Sequence, residues 1–245
     1  MWALIPMKAE TTEDRFMNGR LVIRQSAKGY RAGMDAMLLA AAVTSGARLM
    51  EAGCGPGAAL LATALRHPDT QLIGVERDAD AVALARQNID ANGVAARVSV
   101  IEGDVFGNTL ETFEGIFLNP PFAEPGEGTA PKPARQGAHV TEHSLDAWLA
   151  RLSNLLTGGG VLTLIHRADK LAAILAAMEG RLGAATVYPV RPRADAPASR
   201  VLVRGVKGSR APLTLLRGID LHDASGAKFT PEADAIFRGD ASVDW

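Results

Sequence analysis

Two short stretches of the sequence combine residue types that could do chemistry: Glu51-Ala-Gly-Cys-Gly-Pro-Gly57 and Asn119-Pro120-Pro121-Phe122. In the first, Gly53, Gly55 and Gly57 let the backbone turn tightly and approach a ligand without clashes from Cβ atoms. Gly53, Gly55 and Ala58 also satisfy the dinucleotide pattern G-x-G-x-x-G/A, with Glu76 at about the ribose-binding distance. A dehydrogenase is therefore one candidate. Further carboxylates stand at Glu51, just before the first glycine, and at Asp104 within Glu-Gly-Asp-Val. In the second stretch two prolines fix φ and stiffen the chain, which suits a site that must hold hydrogen-bond acceptors at defined positions. Asn-Pro-Pro-Phe has no role in hydride transfer, and this weighs against the dehydrogenase. Cys54, the single cysteine, lies in the first loop, where a small packed residue is the simpler reading than a nucleophile. No histidine has the partner spacing of a metal site.

The elements that must position these residues alternate. Phe16–Ile23 reads as a hairpin turning at Asn18-Gly19 through a type I′ turn. Ala36–Val43 is a helical run. Short apolar strands are expected at 48–51, 71–75, 97–101, 115–118, 161–165, 186–190 and 200–206. Asp78 and Ser144 are placed to cap helices, Asn92-Gly93 to end one, and Gly158-Gly159-Gly160 to stop another. Strand–helix alternation implies βαβ units and a mainly parallel, doubly wound sheet. Only a polar, Pro-containing connection separates the last two strands, so that pair should be antiparallel. One domain over 1–245 is expected: hairpin and helix to residue 45, a core over 46–210, and a tail over 211–245. Ala123–Gly137, rich in Pro, Gly, Ala and Glu, reads as a long loop beside the second site.

A seven-stranded, mostly parallel sheet closed by an antiparallel pair resembles the class I (Rossmann-like) methyltransferase fold. Glu51 through Gly57, with Pro56-Gly57 after the second glycine, resembles that class's motif I. Asn119–Phe122 matches the [N/D/S]-P-P-[Y/F/W] motif of methyltransferases that modify a planar amine. The resemblance implies S-adenosylmethionine as cofactor. Glu51 would then lie near the methionine ammonium and Glu76 at the ribose, with Arg77 also binding the cofactor. Asp104 and Val105 would meet the adenine, with Gly53, Cys54, Gly55 and Gly57 lining the backbone cradle. The Asn119 side-chain oxygen and the Pro120 carbonyl would accept both N–H groups of the amine, and Phe122 would stack on a base.

Lys28–Ala40, Asn119–Phe122 with Ala134-Arg135, and the ending Leu221-His222-Asp223 … Phe229-Thr230-Pro231-Glu232 resemble the bacterial tRNA1(Val) adenine-37 N6-methyltransferases. That family implies Tyr30 and Asp35 as neighbours of the cofactor. A core aromatic and a helix N-cap are the plainer alternatives for these two. The family often has Tyr where Phe122 stands, and 123–143 departs from its pattern. Asn-Pro-Pro-aromatic also resembles the glutamine-N5 and guanine-N2 methyltransferases, which present a planar amine too.

Composition sets the outer limits. The formal net charge is −1, so any nucleic-acid partner needs a local basic patch. Arg191, Arg193, Arg200, Arg204, Lys207, Arg210 and Arg217 form a candidate strip opposed only by Asp195. Lys132, Arg135, His139 and His143 could add phosphate contacts. A solvated surface is the alternative for both groups. The lone cysteine, the absence of a secretory pattern and the shortness of the apolar runs point to a cytoplasmic chain with no membrane span. The expected partner is an RNA, with tRNA favoured by the resemblance and no metal.

Overall fold

Apolar runs such as Leu49-Met50 and Ile116-Phe117-Leu118 suit strands covered on both faces, and such strands form parallel sheets. The computed structural model describes residues 10–27, 31–120, 143–223 and 227–245. A hairpin of β1 (Thr11–Phe16) and β2 (Leu21–Ser26) precedes α1 (Met34–Ala42). Then follow β3 (Arg48–Ala52), α2 (Ala58–Arg66), β4 (Gln71–Glu76), α3 (Ala79–Ala91), β5 (Val98–Glu102) and β6 (Phe113–Leu118). After α4 (Leu145–Leu155) come β7 (Leu156–Arg167), α5 (Leu171–Met178), β8 (Leu182–Arg191) and β9 (Arg200–Lys207). The tail adds β10 (Thr214–Leu215), β11 (Ile219–Asp220) and α6 (Pro231–Arg238).

The main sheet runs β10-β8-β9-β7-β6-β3-β4-β5, with β11 also on β8. β3, β4, β5, β6 and β7 pair in parallel, and β9 lies antiparallel between β7 and β8. The seven expected strands are present, and the two-residue β10 and β11 lengthen the β8 edge. The chain winds outward from β3 to β5, then restarts at β6 on the other side of β3. Ligands of open α/β sheets bind at such a reversal, beyond the carboxyl ends of the strands.

Side chains alternate across each strand, so successive residues feed two different cores. Leu49, Phe117, Ile165 and Leu202 pack on one face with α1, α2 and α6. Met50, Ile116, Leu118, Leu162, Leu164 and Val203 pack on the other with α4 and α5. The Asp78 carboxylate accepts from the Asp80 and Ala81 amides, and Ser144 accepts from the Ala147 amide, so both expected caps form.

Three local expectations change. The hairpin turn spans four residues, because Phe16 pairs with Leu21. Asn18 and Gly19 take the expected positive φ, and Met17 joins them at φ 50°. Gly158-Gly159-Gly160 lies inside β7, where the register on β6 shifts between Phe113 and Gly115. There Gly159 takes φ 76°, and a Cβ on Gly160 would lie 3.0 Å from the Thr157 carbonyl, so the glycines shape a bulge. Finally, Asp35 is in the first turn of α1, but Gly33 is the capping residue.

The tail closes the first core. Trp245 Nε1 donates to the Ala42 carbonyl at 2.8 Å, and the Arg204 guanidinium sits 4.7 Å above its ring. Arg66 donates to the Ile236 and Ala241 carbonyls. Trp245→Ala should therefore lower unfolding stability by about 2 kcal/mol, below the range for a fully buried aromatic because this ring is only partly covered. Urea denaturation followed by circular dichroism measures it; an unchanged midpoint would contradict the tail's structural role.

Candidate active site

Strand register sets the site's layout. Ala52 pairs with Leu118 of β6 and with Val75 of β4, and Glu76 pairs with Glu102 of β5. The next residues, Gly53, Asn119 and Glu76, are therefore level across three neighbouring strands about 4.8 Å apart. Asp104 follows two residues past the end of β5. Asn119, Gly53, Glu76 and Asp104 thus form one row along the carboxyl edge, on both sides of the chain reversal.

The glycine loop is anchored at each step. Gly53 and Cys54 amides donate to the Val75 carbonyl at 2.8 and 3.2 Å, and the Gly55 amide donates to Glu76 Oε2 at 2.9 Å. Gly53, Gly55 and Gly57 have φ of 71°, 52° and 87°, conformations that favour glycine. Gly57 also starts α2, accepting from the Leu61 amide at 2.9 Å. Glu76 Oε1 takes the Asp78 amide, so both carboxylate oxygens are oriented by backbone donors while retaining lone pairs for a ligand.

Glu51 is 3 % exposed, and its Oε2 has no hydrogen-bond partner among the described residues. Burial pushes its carboxyl well above the usual range; the Glu76 charge adds to this, and a backbone hydrogen bond at Leu60 opposes it. Burial likewise pushes the Cys54 thiol up, which fits packing rather than nucleophilic work. Asp104 accepts from the Phe106 amide at 2.9 Å. Val105 buries its side chain in the second core and leaves only backbone for a ligand. Arg77 is exposed at the edge.

Asn119 is half-buried and Pro120 buried at the end of β6. Asp35 pairs with Arg200 at 3.0 Å on the α1 face of the sheet. Tyr30, Pro121, Phe122, Lys132, Arg135 and His139 lie outside the described residues. His143, read from sequence as a surface group, stacks on Phe106 at 3.7 Å, and Phe106 meets Trp148 edge-on. His166 ends the buried part of β7, and burial pulls its imidazole down to about 4, so it is neutral at pH 7. Neither aromatic contact nor buried histidine could be read from sequence, because each depends on which strand ends fall together.

The basic strip does not form one continuous face. β9 runs opposite to its neighbours, so Arg200 is at the carboxyl edge and Lys207 at the far edge, about 23 Å away at strand rise. Arg191 pairs with Asp220 at 2.5 Å, Lys207 donates to the Leu156 carbonyl, and Arg204 covers Trp245. Arg193 remains exposed near the carboxyl edge. Among the described residues no cluster of three or more His, Cys, Asp or Glu could hold a metal, and no helix is long and apolar enough to cross a membrane.

Switch-point placement, the glycine loop and the row of carboxylates together define a class I methyltransferase. A model of the methyltransferase small domain family matches residues 26–188, and the chain belongs to that family. The tRNA1(Val) (adenine(37)-N6)-methyltransferase of Aeromonas hydrophila is 33% identical over 186 residues, 73% of this chain and 77% of its own. The ribosomal RNA small subunit methyltransferase C of Stutzerimonas stutzeri is 29% identical over 50% of this chain and 33% of its own. The crystal structure of a predicted O-methyltransferase from Agrobacterium tumefaciens superimposes with a TM-score of 0.72, at 30% identity, over 85% of this chain and 98% of its own.

S-adenosylmethionine is the methyl donor of this chain. The site fits it on two observations. A Cβ built on Gly53 or Gly55 would meet nothing within 4 Å, so the glycines leave a cradle that side chains would fill. The buried Glu51 Oε2 is an acceptor suited to an ammonium donor. Glu51→Gln tests the second. In the free protein the folded carboxyl holds a proton that the unfolded chain has released, so stability falls as pH rises from the unfolded to the raised folded value. The variant should lose that slope and melt at a higher temperature than the unaltered protein at pH values where the unfolded carboxyl is ionised. It should also bind S-adenosylhomocysteine about tenfold more weakly, through loss of a charged acceptor. A lower melting temperature with unchanged affinity would refute this role for Glu51.

Proposed function

We propose that the protein transfers the methyl group of S-adenosylmethionine to the exocyclic N6 amine of an adenine in RNA, with tRNA the favoured substrate. The observation that carries the reading is the position of Asn119, level with Gly53 on the adjoining strand at the chain reversal. An amine acceptor is thereby set beside the cradle. The carboxylates then run from strand to strand in the order of the donor's parts: Glu51 on β3 for the methionine ammonium, Glu76 on β4 for the ribose, Asp104 after β5 for the adenine. Adenine and tRNA are supported by the likeness to the Aeromonas tRNA1(Val) (adenine(37)-N6)-methyltransferase.

An adenine amine is a weak nucleophile, because its lone pair is delocalised into the ring. When bound, the donor supplies a sulfonium methyl as electrophile. Asn119 Oδ1 and the Pro120 carbonyl accept the two N–H groups, which favours a pyramidal nitrogen and stabilises the positive charge that develops on it. Transfer would form the N–C bond as the donor's S–C bond broke, and one N–H proton would then pass from the amine held by Asn119 and Pro120 to water. Alignment supplies most of the help, so no strong base is needed. Phe122 provides an aromatic face for the base, which must be unpaired or swung out of a helix. Arg193, with Lys132 and Arg135, is assigned to phosphate contacts; Arg191 assists from its pair with Asp220.

The test is to incubate the protein with methyl-labelled donor and total RNA, then digest to nucleosides. Label in N6-methyladenosine is expected. Label in N2-methylguanosine, or in protein alone, would replace adenine with a different planar amine.

A further inference from the structure

The glycine loop is also held from outside its own strand and helix. Asn88 is on α3 with 0 % exposure. Its Oδ1 accepts from the Arg24 amide at 2.8 Å, and its Nδ2 donates to the Arg24 carbonyl and to the Pro56 carbonyl, both at 2.9 Å. One N–H and two carbonyls around the group leave a single orientation for the amide. The side chain thus pairs with β2 as a neighbouring strand would, and uses its remaining hydrogen on the loop.

Asn92, one turn later, provides an internal comparison. Its Oδ1 accepts from the Val22 amide at 3.0 Å and its Nδ2 donates to the Val22 carbonyl at 2.7 Å. Its second donor goes to the Asn88 carbonyl, within α3. Both asparagines hold the hairpin, and only Asn88 reaches the loop. The contact falls between Gly55 and Gly57, whose positive φ marks the most permissive backbone of the site. α3 is close there as well: a Cβ on Gly57 would meet Ala85 at 3.7 Å. Next to Arg24 on β2, buried Gln25 accepts from the Ala32 amide and donates to the Ala32 carbonyl and Asp14. The hairpin is therefore tied to the segment entering α1 and, through Asn88, to the loop.

We propose that Asn88 is a positioning residue for the methyl donor: it fixes the peptide after Pro56 and couples the N-terminal hairpin to donor affinity. This rests on the reading of Gly53–Gly57 as the loop that cradles S-adenosylmethionine. Without the Asn88 donor, the Pro56–Gly57 peptide keeps only the Gly57 amide bond to the Cys54 carbonyl at 2.9 Å, and holding it in the bound orientation then opposes binding.

The experiment titrates S-adenosylhomocysteine into the full chain and three variants by calorimetry, with a thermal melt of each. Asn88→Ala should weaken binding roughly tenfold, the scale of one buried hydrogen bond and its ordering effect. Asn92→Ala should lower the melting temperature and leave the affinity within about twofold. Unchanged affinity for Asn88→Ala, or equal loss for Asn92→Ala, overturns the proposal. Glu76→Ala separates the two layers: if it too keeps full affinity, the loop assignment itself fails. Should Asn88→Ala not fold, hydrogen exchange on the unaltered protein decides. Coupling is reciprocal, so S-adenosylhomocysteine should slow exchange at the Arg24 amide about tenfold and at the Val22 amide less than about twofold. Equal protection, or none, overturns it.

Discussion

Replacing Asn119 with alanine is expected to lower the methyl-transfer rate by roughly 10²–10³-fold while leaving S-adenosylhomocysteine affinity within about twofold, because its acceptor acts on charge that develops only in transfer. The position explains the separation. Asn119 is level with Gly53 but on β6, the far side of the chain reversal from Glu76 and Asp104. In the proposed arrangement donor binding uses the β3, β4 and β5 side of the row, and the amine is met from the end of β6. Removing a side-chain amide also leaves the Pro120 carbonyl to hold the amine by one contact instead of two. Single-turnover transfer to tRNA, read alongside calorimetric titration, checks both halves. A matched loss of rate and affinity would mean that Asn119 supports the cradle, and the proposed division of labour would be wrong.

The core of this layout is legible in the sequence. Parallel strands buried on both faces show as short apolar runs, and caps such as Asp78 and Ser144 show because an Asp or Ser before a periodic run serves few other purposes. The glycine loop and Asn119 stand out in the sequence because the chemistry expected of them constrains residue type. Other features depend on where strands end in space. Gly158–Gly160 resembles a helix stop but forms a bulge in β7, since β6 is there to pair with it. The basic strip looked continuous in sequence, and the reversed direction of β9 sends Arg200 and Lys207 to opposite edges. Asn88 is the clearest case. In sequence it is one polar residue on an amphipathic helix; in space it joins β2 to the glycine loop. The tail helix had a visible signal in Thr230-Pro231-Glu232, a cap followed by proline at the first turn, and the Thr230 side chain does accept from the Ala233 amide.

The same geometry explains how one edge can serve two ligands. The donor row begins at β5 and ends at Gly53, and from Asn119 onward the edge passes to β7, β9 and β8. On that second half stand the Asp35–Arg200 pair, the Arg191–Asp220 pair and the exposed Arg193. An RNA approaching there meets Arg200 and Arg191 with carboxylate partners already in place, beside the exposed Arg193. Its binding should then weaken with salt less steeply than a count of seven free cations implies.

Glu76→Ala is expected to weaken S-adenosylhomocysteine binding by about 10²-fold or more, with transfer at saturating donor reduced far less. Hydrogen bonds to a charged group contribute roughly 1.5–3 kcal/mol each, and the carboxylate is assigned both ribose hydroxyls. A second effect acts in the same direction. Glu76 Oε2 takes the Gly55 amide and Oε1 the Asp78 amide, so its loss frees one end of the glycine loop and the start of α3. Glu76→Gln separates these contributions. It keeps an oxygen for one backbone amide but presents donors where the other amide and the hydroxyls need an acceptor, so its affinity should fall between wild type and alanine. Across the row the two large effects should then be opposite in kind: Asn119 in rate with binding intact, Glu76 in binding with rate largely intact. If Glu76→Ala binds S-adenosylhomocysteine as wild type does, the ribose is not at β4, and the order of the donor along the edge must be assigned again.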